Sequence, residues 1–226
     1  MSEIMMTGAT GGIGQAVAAA LVAAGHRVTV VGRDLDRLHV PGVRAVTADL
    51  SQPQNLAHAV AEPGQLDALV HCAGISAEAI APVAGTGLSA WRETMTVNAL
   101  AAAELTRLML PALRRSRGHV LFLNSARGTR AVPGWSAFAA SKAALQELAD
   151  SLRAEEAGHG VRVTTVYPGA TATEQLRQVR ASLRRGYDPE QCIQPESLAA
   201  MVAWVLAAPP DAYVSELTVS ASPASR

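Results

Sequence analysis

An α/β domain built as one doubly wound parallel sheet of about seven strands, with helices on both faces, is the fold class this sequence predicts. Three observations predict it. Short apolar, β-branched runs alternate with helix-like segments from end to end. A glycine-rich turn follows the first apolar run and opens a helix. The 226 residues suit a single large core, and no repeat, low-complexity tract or linker marks a second domain.

The elements follow in order. Ile4-Met5-Met6 is a short apolar strand, and residues 13–24 are helical, with Gly25 where a helix-terminating glycine belongs. Residues 28–31 and 43–46 are β-branched and give the second and third strands. A helix is predicted over 55–61 and a fourth strand over 66–72. A long helical region covers about 88–115 and is expected to bend near Asn98. The remaining strands are expected at 119–124, 161–167 and 212–219, and the remaining helices at 136–158 and 197–207. Repeated βα units require parallel strands and right-handed crossovers. Residues 171–195 are polar and arginine-rich, and they follow a strand whose carboxyl end should face the ligand. A substrate lid is the preferred reading there, and an ordinary solvated helix-loop is the alternative.

Composition narrows the function classes. Hydrophobic residues are 49% and aromatic ones only 4%, which suits small side chains packing helices closely on a sheet. The formal net charge is zero, so nothing argues for a nucleic-acid or anionic-membrane partner. No apolar run spans a membrane and no signal peptide precedes the first strand, so a cytoplasmic location is expected. Cys72 and Cys192 are too few for a disulfide framework, and the six His residues form no metal-ligand spacing.

The turn reads Thr7-Gly8-Ala9-Thr10-Gly11-Gly12-Ile13-Gly14. Glycines at 8, 12 and 14 let backbone approach a pyrophosphate, while the helix that follows offers N–H donors and a favourable dipole. The second strand ends in Gly32-Arg33, without the carboxylate that usually holds an NAD ribose. Arg33 offers a planar cation to a 2′-phosphate, which points to NADP(H), although Asp34 beside it leaves NAD open.

Downstream stand Ser125 and then Phe138-Ala139-Ala140-Ser141-Lys142. With the glycine turn, these residues resemble the short-chain dehydrogenase/reductase family over nearly the whole chain, which implies a Rossmann-type fold. The resemblance implies a tetrad in which Asn98 bends its helix and supports a proton relay, Ser125 steadies the substrate oxygen and Lys142 binds the nicotinamide ribose. The family's Tyr falls at Phe138, which has no proton to give. Residues 138 and 142 share one helix face, so Phe138 should stand beside Lys142. The resemblance further assigns Asp49 and Leu50 to the adenine, and Ala73 and Gly74 to the cofactor turn after the fourth strand, where Cys72 replaces an Asn. It assigns Pro168, Gly169, Thr171 and Thr173 to the nicotinamide side.

The implied function is NADPH-dependent interconversion of a ketone or aldehyde and an alcohol, impaired here by Phe138. The alternative is a non-catalytic NADP(H)-binding sensor or partner protein. Phe138 is either a natural departure or a laboratory change, and the intact Asn98, Ser125 and Lys142 favour the latter. Tyr167 and Tyr187 are weak candidates to replace the missing phenol. Arg127, Arg130, Arg177, Arg180, Arg184 and Arg185 suit either an anionic substrate or a solvated surface. A homodimer through the helices at 105–115 and 138–152 is the assembly the resemblance implies.

Overall fold

The structure is a computed structural model and describes residues 1–76, 80–125, 132–209 and 211–222. Seven strands form one sheet: β1 (Glu3–Thr7), β2 (Arg27–Gly32), β3 (Arg44–Thr47), β4 (Ala68–His71), β5 (His119–Leu123), β6 (Arg162–Pro168) and β7 (Glu216–Val219). Their order is β3-β2-β1-β4-β5-β6-β7 and every pairing is parallel. The order reverses between β1 and β4, where Ile4 pairs with Val28 on one side and Ala68 on the other. A crevice must open beyond the carboxyl ends of the strands at that point.

Strand alternation assigns the two faces of the sheet. Met6, Val30 and Leu121 point to one side, where they pack with Val17 and Leu21 of α1 (Gly12–Ala23) and with Leu198 and Val202 of α7 (Pro195–Leu206). Met5, Leu69 and Phe122 point to the other, where they meet Leu105 and Met109 of α4 (Ala101–Ser116) and Leu145 of α5 (Ser136–Glu156). Both faces are covered, which is why the central strands read as continuous apolar runs.

Helix α1 ends as the sequence predicts. Gly25 has φ +81°, its N–H donates to Val22 O at 2.9 Å, and the next N–H, of His26, reaches Leu21 O at 3.1 Å. These two bonds form a Schellman motif. The bend expected near Asn98 is a π-helical turn, Thr96–Leu100, joining α3 (Leu88–Met95) to α4.

Some boundaries differ. The helix expected at 55–61 is a single turn, α2 (Leu56–Ala59), entered by a 3-10 turn at Pro53–Asn55. Helix α7 begins at Pro195 rather than 197, since proline is well placed in a first turn, where its missing N–H costs nothing. β7 occupies only the end of the run at 212–219. The segment at 171–195 contains α6 (Glu174–Ser182), which Thr173 caps by accepting the Leu176 N–H at 3.2 Å. Among the described residues no helix is long and apolar enough to cross a membrane.

Candidate functional site

A cleft of about 580 Å³ opens where the strand order reverses, lined by the glycine turn, Arg33, Asp49, Leu50, Ala73 and Gly74. The turn is packed too closely for side chains. A Cβ on Gly8, which has φ +74°, would lie 2.4 Å from Ala73 N, and one on Gly14 would lie 2.1 Å from Gly8 O. A Cβ on Gly12 would lie 3.1 Å from Thr173 Cγ2, so the turn also abuts the loop before α6. Thr10 and Ile13 complete the wall beneath the amino end of α1.

Arg33 reaches over the cleft from the end of β2. Its guanidinium lies 3.6 Å from Asp34 Oδ2 and 3.6 Å from Asp49 Oδ2, and its side chain is 64% exposed. Such loose, wet pairs hold a guanidinium weakly, leaving it available to a stronger anion. Asp49 is itself anchored, accepting the Ser51 N–H at 2.9 Å and the Ser51 hydroxyl at 2.8 Å. These bonds, the backbone one foremost, with Arg33 adding to them, hold its carboxyl below the usual carboxylate range.

A second cavity of about 160 Å³ adjoins the first and shares Ile13, Cys72, Gly74, Thr173 and Gln175 with it. Ser125, Phe138 and Lys142 line it, as do Pro168, Gly169 and Thr171. The cavity thus brings together residues that the family resemblance assigned to a reaction centre and to a nicotinamide side. Lys142 Nζ donates to Leu123 O at 3.0 Å, and burial pushes its pKa down to about 8. Cys72 borders the same space, and burial raises its thiol to about 12. Phe138 stands one helical turn before Lys142, with the Trp135 ring edge-on at 5.3 Å between centroids.

Asn98 lies behind this cavity, 1% exposed. It accepts the Ile75 N–H at 2.8 Å and donates to Ile75 O at 3.0 Å and Ser141 Oγ at 2.9 Å. Ser141 Oγ in turn donates to Phe138 O at 2.7 Å. The chain of bonds ties the loop after β4 to the turn of α5 that carries position 138. Asn124, which sequence reasoning passed over, does the same for Ser125 and Lys142. Its Oδ1 accepts the Ser125 N–H at 3.0 Å and its Nδ2 donates to Lys142 O at 3.1 Å. Its only signal in the sequence is its place immediately before Ser125. Ser76 and Gln175 were also missed, and Gln175 Nε2 donates to Ser76 Oγ at 2.8 Å, clasping α6 to the loop after β4.

The loop after β6 is fixed by backbone pairing. Gly169 N–H donates to Val219 O at 2.8 Å, and the Thr171 hydroxyl donates to Gly169 O at 3.1 Å. Tyr167 is buried at 1% exposure, and Tyr187 is half-buried in the loop after α6. Arg177 is paired with Glu174 at 2.6 Å, and Arg180 donates to Gly186 O at 2.9 Å. Arg127 and Arg130 lie outside the described residues.

Known proteins share this architecture and sequence. The chain is 32% identical to the short-chain type dehydrogenase/reductase y4eK of Sinorhizobium fredii, over 95% of this chain and 89% of that protein. It is 28% identical to the NADP-dependent 3-hydroxy acid dehydrogenase YdfG of Salmonella typhi, over 97% and 94%. A further relative, the glycine betaine reductase ATRR of Emericella nidulans, is 33% identical over 95% of this chain, which spans only 18% of that protein. A short chain dehydrogenase from Burkholderia cenocepacia, solved in complex with NADP, superposes with a TM-score of 0.82 at 26% identity, covering 97% of this chain and 88% of that one. Residues 2–184 match the family described as short chain dehydrogenase. With that match across most of its length, the chain belongs to the short-chain dehydrogenase/reductase family.

Proposed function

We propose that this protein is an NADP(H)-dependent oxidoreductase interconverting a ketone or aldehyde and an alcohol, and that Phe138 limits its rate. The observation that carries the reading is the meeting of Ser125, Phe138 and Lys142 in one small cavity continuous with the glycine-lined cleft. The cleft suits a dinucleotide. Its turn excludes any Cβ at Gly8 and Gly14, which leaves backbone N–H groups of Gly12, Ile13 and their neighbours to face phosphates. In this reading Thr10 borders the pyrophosphate, Arg33 pairs with a 2′-phosphate, and Asp49 and Leu50 flank the adenine. Ala73, Gly74, Pro168, Gly169, Thr171 and Thr173 border the nicotinamide half. NADP in the names of two similar proteins supports the same cofactor.

A bound nicotinamide supplies or takes up the hydride. The rest falls to the chain. Ser125 Oγ–H donates to the substrate oxygen and steadies charge developing on it. Lys142, with its pKa near 8, is mostly an ammonium at neutral pH and serves as donor to a ribose hydroxyl. Asn98 and Ser141 fix the helix turn on which position 138 sits. Phe138 occupies the place from which a phenol would protonate the nascent alkoxide, and its ring cannot do so. Helix α6, with its Gln175–Ser76 clasp, serves as the inner part of a substrate lid over 171–195. Phe138 is also what favours the second reading, a non-catalytic NADP(H)-binding sensor or partner of an active relative.

Phe138→Tyr separates the two. The first reading expects carbonyl reduction to rise by roughly 10²-fold or more, followed as loss of NADPH absorbance over a panel of aldehydes and ketones. NADPH affinity should stay nearly constant. A structure of the variant with its phenol oxygen turned away from Lys142 would end the reductase reading. Cofactor choice is tested by fluorescence titration: Arg33→Ala should cost about tenfold in NADPH affinity and leave NADH almost untouched. Equal losses for both would remove Arg33 from the 2′-phosphate site.

A further inference from the structure

Lys142 is the chain's single lysine; every other basic residue among the 19 Lys and Arg is an arginine. It lines the 160 Å³ cavity with Ser125 and Phe138. Leu123 O accepts from its Nζ at 3.0 Å, and no carboxylate among the described residues pairs with it. An ammonium held by one neutral carbonyl has little to keep its proton, and burial brings its pKa down to about 8. About a tenth of it is therefore neutral at pH 7. The neutral amine keeps the bond to Leu123 O through one hydrogen and has its lone pair free.

Room for that lone pair to react lies beside Gly74. A Cβ built on Gly74 would sit 3.5 Å from Lys142 Nζ, 3.6 Å from Asn98 Oδ1 and 3.9 Å from Lys142 Cε, all ordinary van der Waals distances. A carbon atom thus fits against the amine at this point. Gly74 lines both the large cleft and the smaller cavity, so the point lies where the two join. Ser125 stands on the wall of the smaller cavity as a hydroxyl donor, and Phe138 presents a ring where a phenol would compete for the amine. Leu123, Leu176 and Val179 make part of the same lining apolar, which suits a short alkyl chain.

We propose that Lys142 is a covalent capture site for small aldehydes, its Nζ attacking on the side of Gly74 to form an imine. The inference goes beyond the oxidoreductase reading and does not rest on it. The nitrogen lone pair attacks the carbonyl carbon, an N–C bond forms, and the π pair of C=O moves onto oxygen, to which the Ser125 hydroxyl donates. The two protons shed by nitrogen pass to that oxygen through solvent. The C–O bond then breaks, water leaves and a C=N bond remains. No oxidant or reductant takes part. An aldehyde carries one substituent on the reacting carbon, which a cavity of this size admits more readily than a ketone's two.

The test traps the imine. The full chain is mixed with propanal and sodium cyanoborohydride at pH 7, and the propyl group left on nitrogen is located by mass spectrometry of peptides. A single lysine makes the reading unambiguous, and the α-amino group at the exposed Met1 reports the strength of the reagent. The same reaction in guanidinium chloride gives the rate for Lys142 in the unfolded chain. Lys142 should label about tenfold faster in the folded chain, because burial enlarges the free-amine fraction more than it lowers nucleophilicity. Gly74→Ala fills the space beside Nζ with a methyl and should slow the folded rate about tenfold, leaving the unfolded rate unchanged. A folded chain with no propyl group on Lys142 while Met1 reacts overturns the proposal. So does a folded rate no higher than the unfolded one, or an unaltered folded rate in Gly74→Ala. If Gly74→Ala does not fold, the ratio of folded to unfolded rates in the parent chain decides alone.

Discussion

Lys142 carries its charge into the half-buried wall of the smaller cavity, with Leu123 O as its bonded acceptor at 3.0 Å. Burial lowers its pKa from 10.5 to about 8. Between those two pH values the unfolded chain holds a proton that the folded chain has released, so stability rises with pH across that window. Below pH 8 the full penalty of burying the ammonium applies. Lys142→Met keeps the length of the side chain and removes the charge, and should raise stability by about 1–3 kcal/mol at pH 7. The advantage should vanish above pH 10.5, as urea titrations at several pH values would reveal. The same variant should lose nucleotide affinity by calorimetry, because the donor to the ribose is gone. Opposite signs for stability and binding are the mark of a residue kept for its chemistry. An unchanged affinity would remove Lys142 from the cofactor site.

Between elements, Asn98 does the joining. Its side chain makes three bonds to Ile75 and Ser141, and the π-helical turn that exposes it to both is the local departure from α-geometry between α3 and α4. Asn98→Ala leaves the half-buried Ile75 N–H and O without their partners and should cost about 1–3 kcal/mol. The loop after β4 should exchange amide protons faster as a result, measured by hydrogen exchange. The bend was expected from the family resemblance at Asn98, whereas the alternation of strands and helices was legible in the chain itself, since apolar period and glycine placement are local properties. Helix α6 was not, because only Val179 of it is buried and an arginine-rich stretch carries no clear apolar stripe. The candidate site divides in the same way. The spacing from Phe138 to Lys142 is fixed by helical geometry and could be read directly. The Gln175–Ser76 clasp joins residues 99 apart, and Asn124 meets Lys142 across 18, pairings that no local pattern encodes.

At the scale of the whole molecule, two buried imidazoles set the response to acid. His71 stacks on Phe122 at 5.0 Å and pairs with Thr106 at 2.9 Å, while His119 pairs with Thr164 at 2.7 Å against the edge of Tyr213. Burial lowers both from 6.5 to about 3, with Arg162 adding to the effect at His119. Each is therefore neutral in the fold and free to protonate in the unfolded chain. Their contribution is complete above pH 6.5 and is lost as pH falls towards 3, at about 1.4 kcal/mol per pH unit for each. Glu156, held below the usual range by Arg114, adds to the loss only at lower pH, as its carboxyl takes up a proton. Stability measured by urea should thus decline between pH 6.5 and 5, before the carboxylates titrate, and His71→Gln should remove about half of that slope. A flat profile over this interval would mean that neither imidazole is held neutral.

The strand order has one further consequence. From β1 the chain winds outward through β2 to β3, returns across the sheet, and winds outward the other way from β4 to β7. In the sheet the two wings meet at a seam, β1 against β4, where Glu3 N–H reaches the Asp67 carboxylate across 64 residues of chain, and on one face α1 packs against α7 over the same join. Closing that seam carries a large loop-closure entropy and relies on contacts far apart in sequence. The approach of Gly8 to Ala73 belongs to the same seam. The cleft takes its walls from both wings, the glycine turn and Arg33 from one and Ala73 and Gly74 from the other. Binding competence is thus a property of the joined wings, and an opening confined to the seam would abolish the site while most of the secondary structure stayed in place.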